Sequence, residues 1–149
     1  MRILGTWDLV GVPPVDLPAS LGEPCMRVGR DILRAISGDI PEDTQWVLAE
    51  DNEYGRILLL GLRAEKLQFS RSIDLALPVS RLTASAAELV QDHLAGFESI
   101  QWPTCPGHTH PMVPAVDDTG AWWRCRSTRS NVVPIGELPP STRSSSETR

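Results

Sequence analysis

Aromatic side chains are scarce in this sequence: they make up 5% of the residues, with one Tyr and two Phe beside five Trp. The core must therefore be built mainly from aliphatic side chains. Lysine is rarer still, because Lys66 is the one basic residue that is not arginine. We interpret the arginine bias as the result of a GC-rich coding sequence, and it assigns no function.

The chain also lacks the usual features of secreted and membrane proteins. Three cysteines are an odd number, which fits poorly with a disulfide framework. The longest apolar run, residues 57–62, is too short to span a bilayer. Asp8 and the Pro13-Pro14 pair interrupt the opening stretch, which does not resemble a signal peptide. These features predict a cytoplasmic protein with no membrane partner.

The negative charge is concentrated in one part of the chain. The formal net charge is −5, and residues 1–102 hold nine basic against fifteen acidic side chains. Residues 103–149 hold five against four. An acidic body disfavours broad nucleic-acid binding, because the phosphate backbone must meet cationic surface. A local nucleic-acid contact near the C-terminus stays open.

Motifs that would point to a reaction are also missing. The sequence contains no Gly-rich phosphate loop, no nucleophile elbow and no paired carboxylates with a supporting base. We therefore assign no catalytic residue and leave enzyme activity undecided, with a preference for a non-enzymatic protein.

The first two thirds of the chain predict an α+β body. Residues 1–23 are rich in Pro and Gly and are predicted to form an extended arm. Apolar residues at helical spacing predict a first helix over residues 24–37. A capping-box pattern at Ser85 predicts the start of a second helix that ends before Pro103.

Between the two helices, the pattern predicts three strands at residues 44–51, 56–62 and 67–77. Their short connections favour an antiparallel meander. The body, residues 24–102, should therefore have the order α-β-β-β-α in two layers.

Two cysteines and two histidines lie close together after the body. Cys105 and His108 are separated by Pro106-Gly107, and this spacing lets one tight turn present a thiolate and an imidazole to the same ion. His110 follows two residues later, and Cys125 lies further along the chain.

Hairpin geometry predicts how the last cysteine reaches the other three residues. Residues 112–116 and 121–125 are typical of short strands joined by a turn at 117–120, and residues 132–135 would add a third strand. Two sulfur and two nitrogen donors match the set of a closed structural zinc site. The sequence thus predicts a zinc-ribbon-like module over residues 103–138, with Zn²⁺ bound by Cys105, His108, His110 and Cys125.

The module departs from a complete ribbon. Ribbons normally end in a second two-ligand turn, and Thr128 stands where the second Cys or His would be. His110 must then be the fourth ligand, or the site is incomplete. Three alternatives remain: a metal-free relic that packs like a ribbon, a Cys105–Cys125 disulfide, and a catalytic metal with an open position but no evident general base.

The segments WPTCPGHTHP, AWWRC and VVPIGEL carry a resemblance. They are similar to the ends of small uncharacterised bacterial proteins with the pattern W-P-x-C-P-x-H-x-H-P…W-x-C…I-G-x-L. The resemblance covers roughly the last third of the chain and implies a recurring module with a metal site, by likeness to zinc ribbons. No activity is established for that group, so the resemblance implies no catalytic residue.

Aromatic and basic side chains also cluster on the second hairpin strand and its exit. Alternation along a strand directs Trp122 and Trp123 to opposite faces, so one can pack inward while the other lies at the surface. The cluster either forms a platform for a protein, base or phosphate, or packs with arginine stems over apolar surface. Its members are Trp122, Trp123, Arg124, Arg126 and Arg129. Residues 139–149 have no apolar anchor and are predicted to be disordered.

Our first functional hypothesis is a non-enzymatic interaction or adaptor module that binds a protein partner, with the arm at 1–23 as contact surface or homodimer interface. The second is a nucleic-acid-associated protein that uses the Trp/Arg hairpin. The third is a zinc-dependent hydrolase. We also expect loss of Cys105 to unfold the C-terminal third and leave the body largely intact.

Overall fold

Two antiparallel sheets and two α-helices make up the α+β structure. The computed structural model describes residues 1–53, 55–65 and 67–140. Its larger sheet has the strand order β1-β2-β3-β4, and its smaller sheet has the order β5-β6-β7. In chain order the elements are β1 (Arg2–Asp8), α1 (Gly22–Ile36), β2 (Gln45–Asp51), β3 (Ile57–Ala64), β4 (Leu67–Ser72), α2 (Val79–Phe97), β5 (Val113–Asp117), β6 (Gly120–Arg124) and β7 (Asn131–Pro134).

The first strand corrects the predicted order of the body, which is β-α-β-β-β-α. Residues 2–8 of the predicted arm pair with β2 and form an edge strand of the larger sheet. All three prolines that argued against a strand, at positions 13, 14 and 18, lie after β1 ends. The prolines therefore shape only the connection to α1.

The second helix also differs from its prediction, because α2 begins at Val79 rather than at Ser85. Pro78 occupies the N-cap position with an extended ψ of 157°, and proline is well tolerated where a helix begins. The buried face already includes Leu82 in the first turn. Burial of this face therefore determines where the helix starts. The capping-box pattern at Ser85 lies inside α2 and does not mark its N-terminus.

The predicted tail at residues 139–149 falls mostly outside the described residues, since the description ends at Pro140.

One hydrophobic core joins the two sheets. Trp46 of the larger sheet and Trp123 of the smaller sheet are both fully buried and belong to the same cluster of apolar side chains. Trp102, which follows α2, packs its ring edge-on against Trp123 with 5.1 Å between ring centroids. The smaller sheet is therefore packed against the body by apolar contacts.

A buried carboxylate on α1 reinforces this packing. Asp31 is fully buried and accepts hydrogen bonds from Trp123 Nε1 at 2.8 Å, from the Gly136 backbone N–H at 2.6 Å and from the Leu138 backbone N–H at 3.0 Å. Burial raises the pKa of the Asp31 carboxyl, and the three donors limit that rise. Asp31 thus fixes both β6 and the segment after β7 to α1.

Three arginines on the same face of α1 donate to backbone carbonyls of the segment that follows β7. Arg27, Arg30 and Arg34 donate to the backbone oxygens of residues 135, 136 and 138 at 3.4 to 3.5 Å. With Asp31 they follow the i, i+3, i+4, i+7 spacing of one helix face. We call Arg27, Arg30, Asp31 and Arg34 the α1 clamp.

Candidate metal centre

Two loops bring the four predicted ligands together. The first loop connects α2 to β5 and carries Cys105, His108 and His110, whereas the second connects β6 to β7 and begins with Cys125. The sulfur and imidazole nitrogen donors of these residues all lie within 4.8 Å of one another. The four side chains lie close enough to hold one metal ion.

The first loop is a tight turn held by backbone hydrogen bonds. The His108 N–H donates to the Cys105 carbonyl at 3.1 Å, and the Cys105 N–H donates to the His110 carbonyl at 3.4 Å. Gly107 between them has a φ of +76°, a left-handed conformation that residues with a Cβ rarely adopt. The Cys-Pro-Gly-His spacing therefore has the turn geometry that directs both side chains inward.

The second loop folds around the sulfur of Cys125. The Arg129 N–H donates to the Cys125 carbonyl at 2.9 Å, and the Cys125 N–H donates to the Ser130 carbonyl at 2.9 Å. The Thr128 N–H points at Cys125 Sγ, 3.5 Å away. Thr128 occupies the position where a complete ribbon has its second ligand, and its N–H supports the thiolate.

Three of the donors form a compact set. His108 Nδ1 lies 3.3 Å from Cys105 Sγ and 3.4 Å from Cys125 Sγ. In a tetrahedral zinc site, bond lengths of about 2.3 Å to sulfur and about 2.0 Å to nitrogen separate these atoms by about 3.5 Å. Both sulfur–nitrogen distances thus fit ligands of one ion, with His108 binding through Nδ1.

His110 is oriented by two hydrogen bonds. Its Nδ1 lies 3.1 Å from the Pro111 carbonyl oxygen; because a carbonyl only accepts, Nδ1 carries the proton. Its Nε2 is then the metal-binding nitrogen, and it lies 2.9 Å from Ser127 Oγ. Ligating histidines commonly bond a backbone carbonyl through their other nitrogen in this way. The two imidazoles stack with 4.8 Å between ring centroids.

The two sulfurs are buried and electronically unequal. Hydrogen bonds from Thr128 lower the pKa of the Cys125 thiol to about 6, whereas burial raises the pKa of Cys105. All three cysteines are free thiols, so the disulfide alternative for Cys105 and Cys125 does not describe this structure. His108 is exposed and His110 half-buried, and this side of the centre faces solvent.

The structure divides the aromatic and basic cluster rather than forming one surface from it. Trp123 is fully buried and bonded to Asp31, so it does not contribute to a binding surface. Trp122 is half-buried, and its Nε1 donates to the turn residues Asp117 and Thr119. The Arg124 side chain donates to Asn131 at 2.9 Å. Arg126 and Arg129, in the second metal-centre loop, are exposed.

Sequence reasoning missed the residues that support the ligands. Thr128 was considered only as the place of an absent ligand, and Ser127 was given no role. No sequence signal connects Asp31 to Trp123 across about 90 positions of chain. A Ser-Thr pair that begins two residues after a ligand cysteine and lies between two arginines is the local signal for Ser127 and Thr128.

The hairpin turn beside the centre gives a pH-dependent prediction. Asp117 accepts bonds from the Thr119 N–H and hydroxyl, which lower its pKa most, and from Asn131 and Trp122; together they bring the pKa to about 2. An unfolded Asp titrates near about 3.9. Ionised Asp117 therefore stabilises the fold above that pH, and the contribution is lost as pH falls through about 2.

We expect Asp117→Asn to lower the melting temperature at pH 7 and the gap to wild type to narrow between about pH 5 and pH 2. The measurement is thermal unfolding with chelator in every sample, so that zinc loss affects all proteins equally. Asp118→Asn, at the exposed neighbour in the turn, is the control and should stay near wild type at pH 7. A difference in melting temperature between Asp117→Asn and wild type that does not change with pH would contradict the role given to ionised Asp117.

Within the described ranges, neither helix combines the length and apolarity needed to cross a bilayer. No family model, curated protein or solved structure matches this chain.

Proposed function

We propose that this chain is a non-enzymatic interaction or adaptor module for a protein partner, and that a structural zinc ion stabilises its smaller sheet. The observation that carries the proposal is the convergence of Cys105, His108, His110 and Cys125 within 4.8 Å. Two thiolates and two imidazoles favour Zn²⁺ among the common ions, because soft sulfur ligands disfavour Mg²⁺ and Ca²⁺. Free thiols fit a reducing compartment such as the cytoplasm.

A structural role for the ion fits the loops that carry the ligands. Residues 103–111 and 125–130 contain little regular structure, and the backbone bonds described above hold only their turns. An ion bound by both loops ties them to each other, and its binding energy is then folding energy for this part of the chain.

The proposed partner surface is the connection between β1 and α1. Leu9 and Leu17 anchor its two ends in the core, with exposed fractions of 5% and 9%. Between them Val12 and Val15 are 86% and 98% exposed. The intervening Pro13-Pro14 restricts the backbone, which reduces the entropy lost when a partner orders the segment. An anchored loop with an apolar, stiffened tip is suited to insertion into a partner.

Two measurements test the proposal. Native mass spectrometry of the full chain should show one zinc ion per polypeptide. Affinity capture from lysate with the wild-type chain should recover a partner protein. The double variant Val12→Ser/Val15→Ser should lose this partner. The control Val132→Ser, which changes an exposed valine of β7, should retain it. Sedimentation would show whether the partner is a second copy. A metal-free native protein, or capture that ignores the loop variants, would contradict the proposal.

A further inference from the structure

The four donors of the metal centre are not equivalent. His108 Nδ1 is in contact with both sulfurs, at 3.3 and 3.4 Å. The full set, however, extends to 4.8 Å. The longest edge of a tetrahedral site with two sulfur ligands is about 3.8 Å. At least one pair of donor atoms is therefore farther apart than in a closed four-ligand site.

His110 is the donor with an alternative partner. Its Nε2, the nitrogen left free for a metal, lies 2.9 Å from the Ser127 hydroxyl. Ser127 is exposed and belongs to the second loop, directly after Arg126. Coordination by Nε2 would require this hydrogen bond to break. The imidazole thus has two competing partners, and Ser127 favours the state in which the metal keeps three protein ligands.

Two exposed arginines lie in the loop that carries Cys125 and Ser127. The buried thiols lie inside, while His108, His110 and Ser127 lie towards the surface. Arg126 and Arg129 extend from the same loop, and neither forms an ion pair within the part of the chain that the structure describes. A guanidinium matches carboxylate and phosphate geometry through paired N–H donors. These two arginines add positive charge to the loop that carries Ser127, and this charge would attract an anion to that loop.

We propose that His110 is a displaceable ligand, and that the metal binds a small oxyanion, such as phosphate or acetate, in its place, with Arg126 and Arg129 beside it. This inference rests on the metal centre of the proposed function and adds a binding site to it. Cys105, Cys125 and His108 retain the ion in both states. The Ser127 hydroxyl holds the imidazole when the oxyanion is bound.

Visible absorption of the cobalt-substituted full chain tests the site, because the spectrum reports the number and type of ligands. Titration with phosphate, and separately with acetate, should produce a saturable change, whereas chloride at equal ionic strength should not. The double variant Arg126→Ala/Arg129→Ala should raise the apparent Kd about tenfold or more. Arg81→Ala, at an exposed arginine on α2, is the matched control and should leave the titration unchanged.

Two histidine variants and one serine variant test the displaceable ligand. His110→Ala should keep the metal and bind phosphate at lower concentration, since no imidazole competes. His108→Ala should lose the metal. Ser127→Ala should raise the phosphate concentration required, because His110 is then free to coordinate.

Each negative result has a distinct meaning. If the wild-type chain takes up no metal, the proposed function fails together with the oxyanion site. If the metal binds and neither phosphate nor acetate alters the spectrum, only the present inference is overturned. Loss of metal from His110→Ala as complete as from His108→Ala would also overturn it.

Discussion

Cys105→Ser is expected to abolish stoichiometric zinc binding and to lower the unfolding midpoint of the whole chain. Cys105 is buried and contacts His108 through its sulfur, and a serine hydroxyl is a poor zinc ligand at neutral pH. An ion that binds only the folded state stabilises it by about 4 kcal/mol when free zinc exceeds the Kd a thousandfold. The variant forfeits this contribution.

The loss should reach beyond the metal-binding loops. Trp102 and Trp123 pack on each other and share a core with Trp46 of the larger sheet. From the sequence we expected the body to survive unfolding of the C-terminal third. With apolar contacts and the α1 clamp between them, we now expect one cooperative transition that includes both sheets.

Metal analysis and thermal unfolding, with and without added zinc, provide the measurement. Cys25→Ser is the matched control: this thiol is also fully buried, but it lies in α1. It should cost about 1–3 kcal/mol for the buried hydroxyl and keep one zinc ion per chain. Two separate transitions in Cys105→Ser, or one retained zinc ion, would show that the prediction is wrong.

Asp31→Ala is expected to cost about 3 kcal/mol or more of unfolding free energy. The change removes the acceptor of three buried N–H donors, on Trp123, Gly136 and Leu138. Each buried donor left without a partner costs about 1–3 kcal/mol, and water entering the space vacated by the carboxylate offsets part of the total. The bond between α1 and β6 would then be lost, and only the arginine bonds of the α1 clamp would still hold the segment after β7.

Urea unfolding of the two proteins measures this cost. Asp31→Asn should fall between wild type and Asp31→Ala, because the amide oxygen still accepts while its NH₂ group faces other donors. Asp92→Ala provides the control: this exposed aspartate pairs with exposed Arg71, and such surface pairs contribute about 0–1 kcal/mol. If Asp31→Ala and Asp92→Ala lowered the unfolding free energy equally, Asp31 would have no special role in stabilising the fold.

The convergence of the four donor residues was largely predictable because its geometry is local. The Cys105-Pro-Gly-His108 spacing defines a single turn, and the turn between β5 and β6 returns Cys125 to it. Both steps depend on residues near one another in sequence. The assignment of Zn²⁺ rests on donor chemistry, and it stays a prediction.

The contacts between distant segments were not predictable. Prolines at 13 and 14 dominated the interpretation of the N-terminus, although the seven residues of β1 contain none. The start of α2 followed burial of Leu82 rather than the capping pattern at Ser85. Nothing in the sequence distinguishes Asp31 from other charged helix residues, since only the tertiary fold brings Trp123 and the Gly136 N–H to its carboxylate.

The cluster of Trp and Arg residues shows the same limit within the eight positions from 122 to 129. Alternation correctly separated Trp122 from Trp123, but it could not tell which side of the strand meets the core. Burial of Trp123 settles that question and leaves the exposed charge to Arg126 and Arg129.

The α1 clamp binds only main-chain atoms of the segment that follows β7. Such recognition ignores the outward side chain of Glu137, so the sequence can drift there without penalty. It depends, however, on the number of residues between β7 and Leu138. Inserting or deleting one residue between Pro134 and Leu138 would displace clamped backbone groups from their partners, so this segment should tolerate a substitution at Glu137 better than a change in spacing.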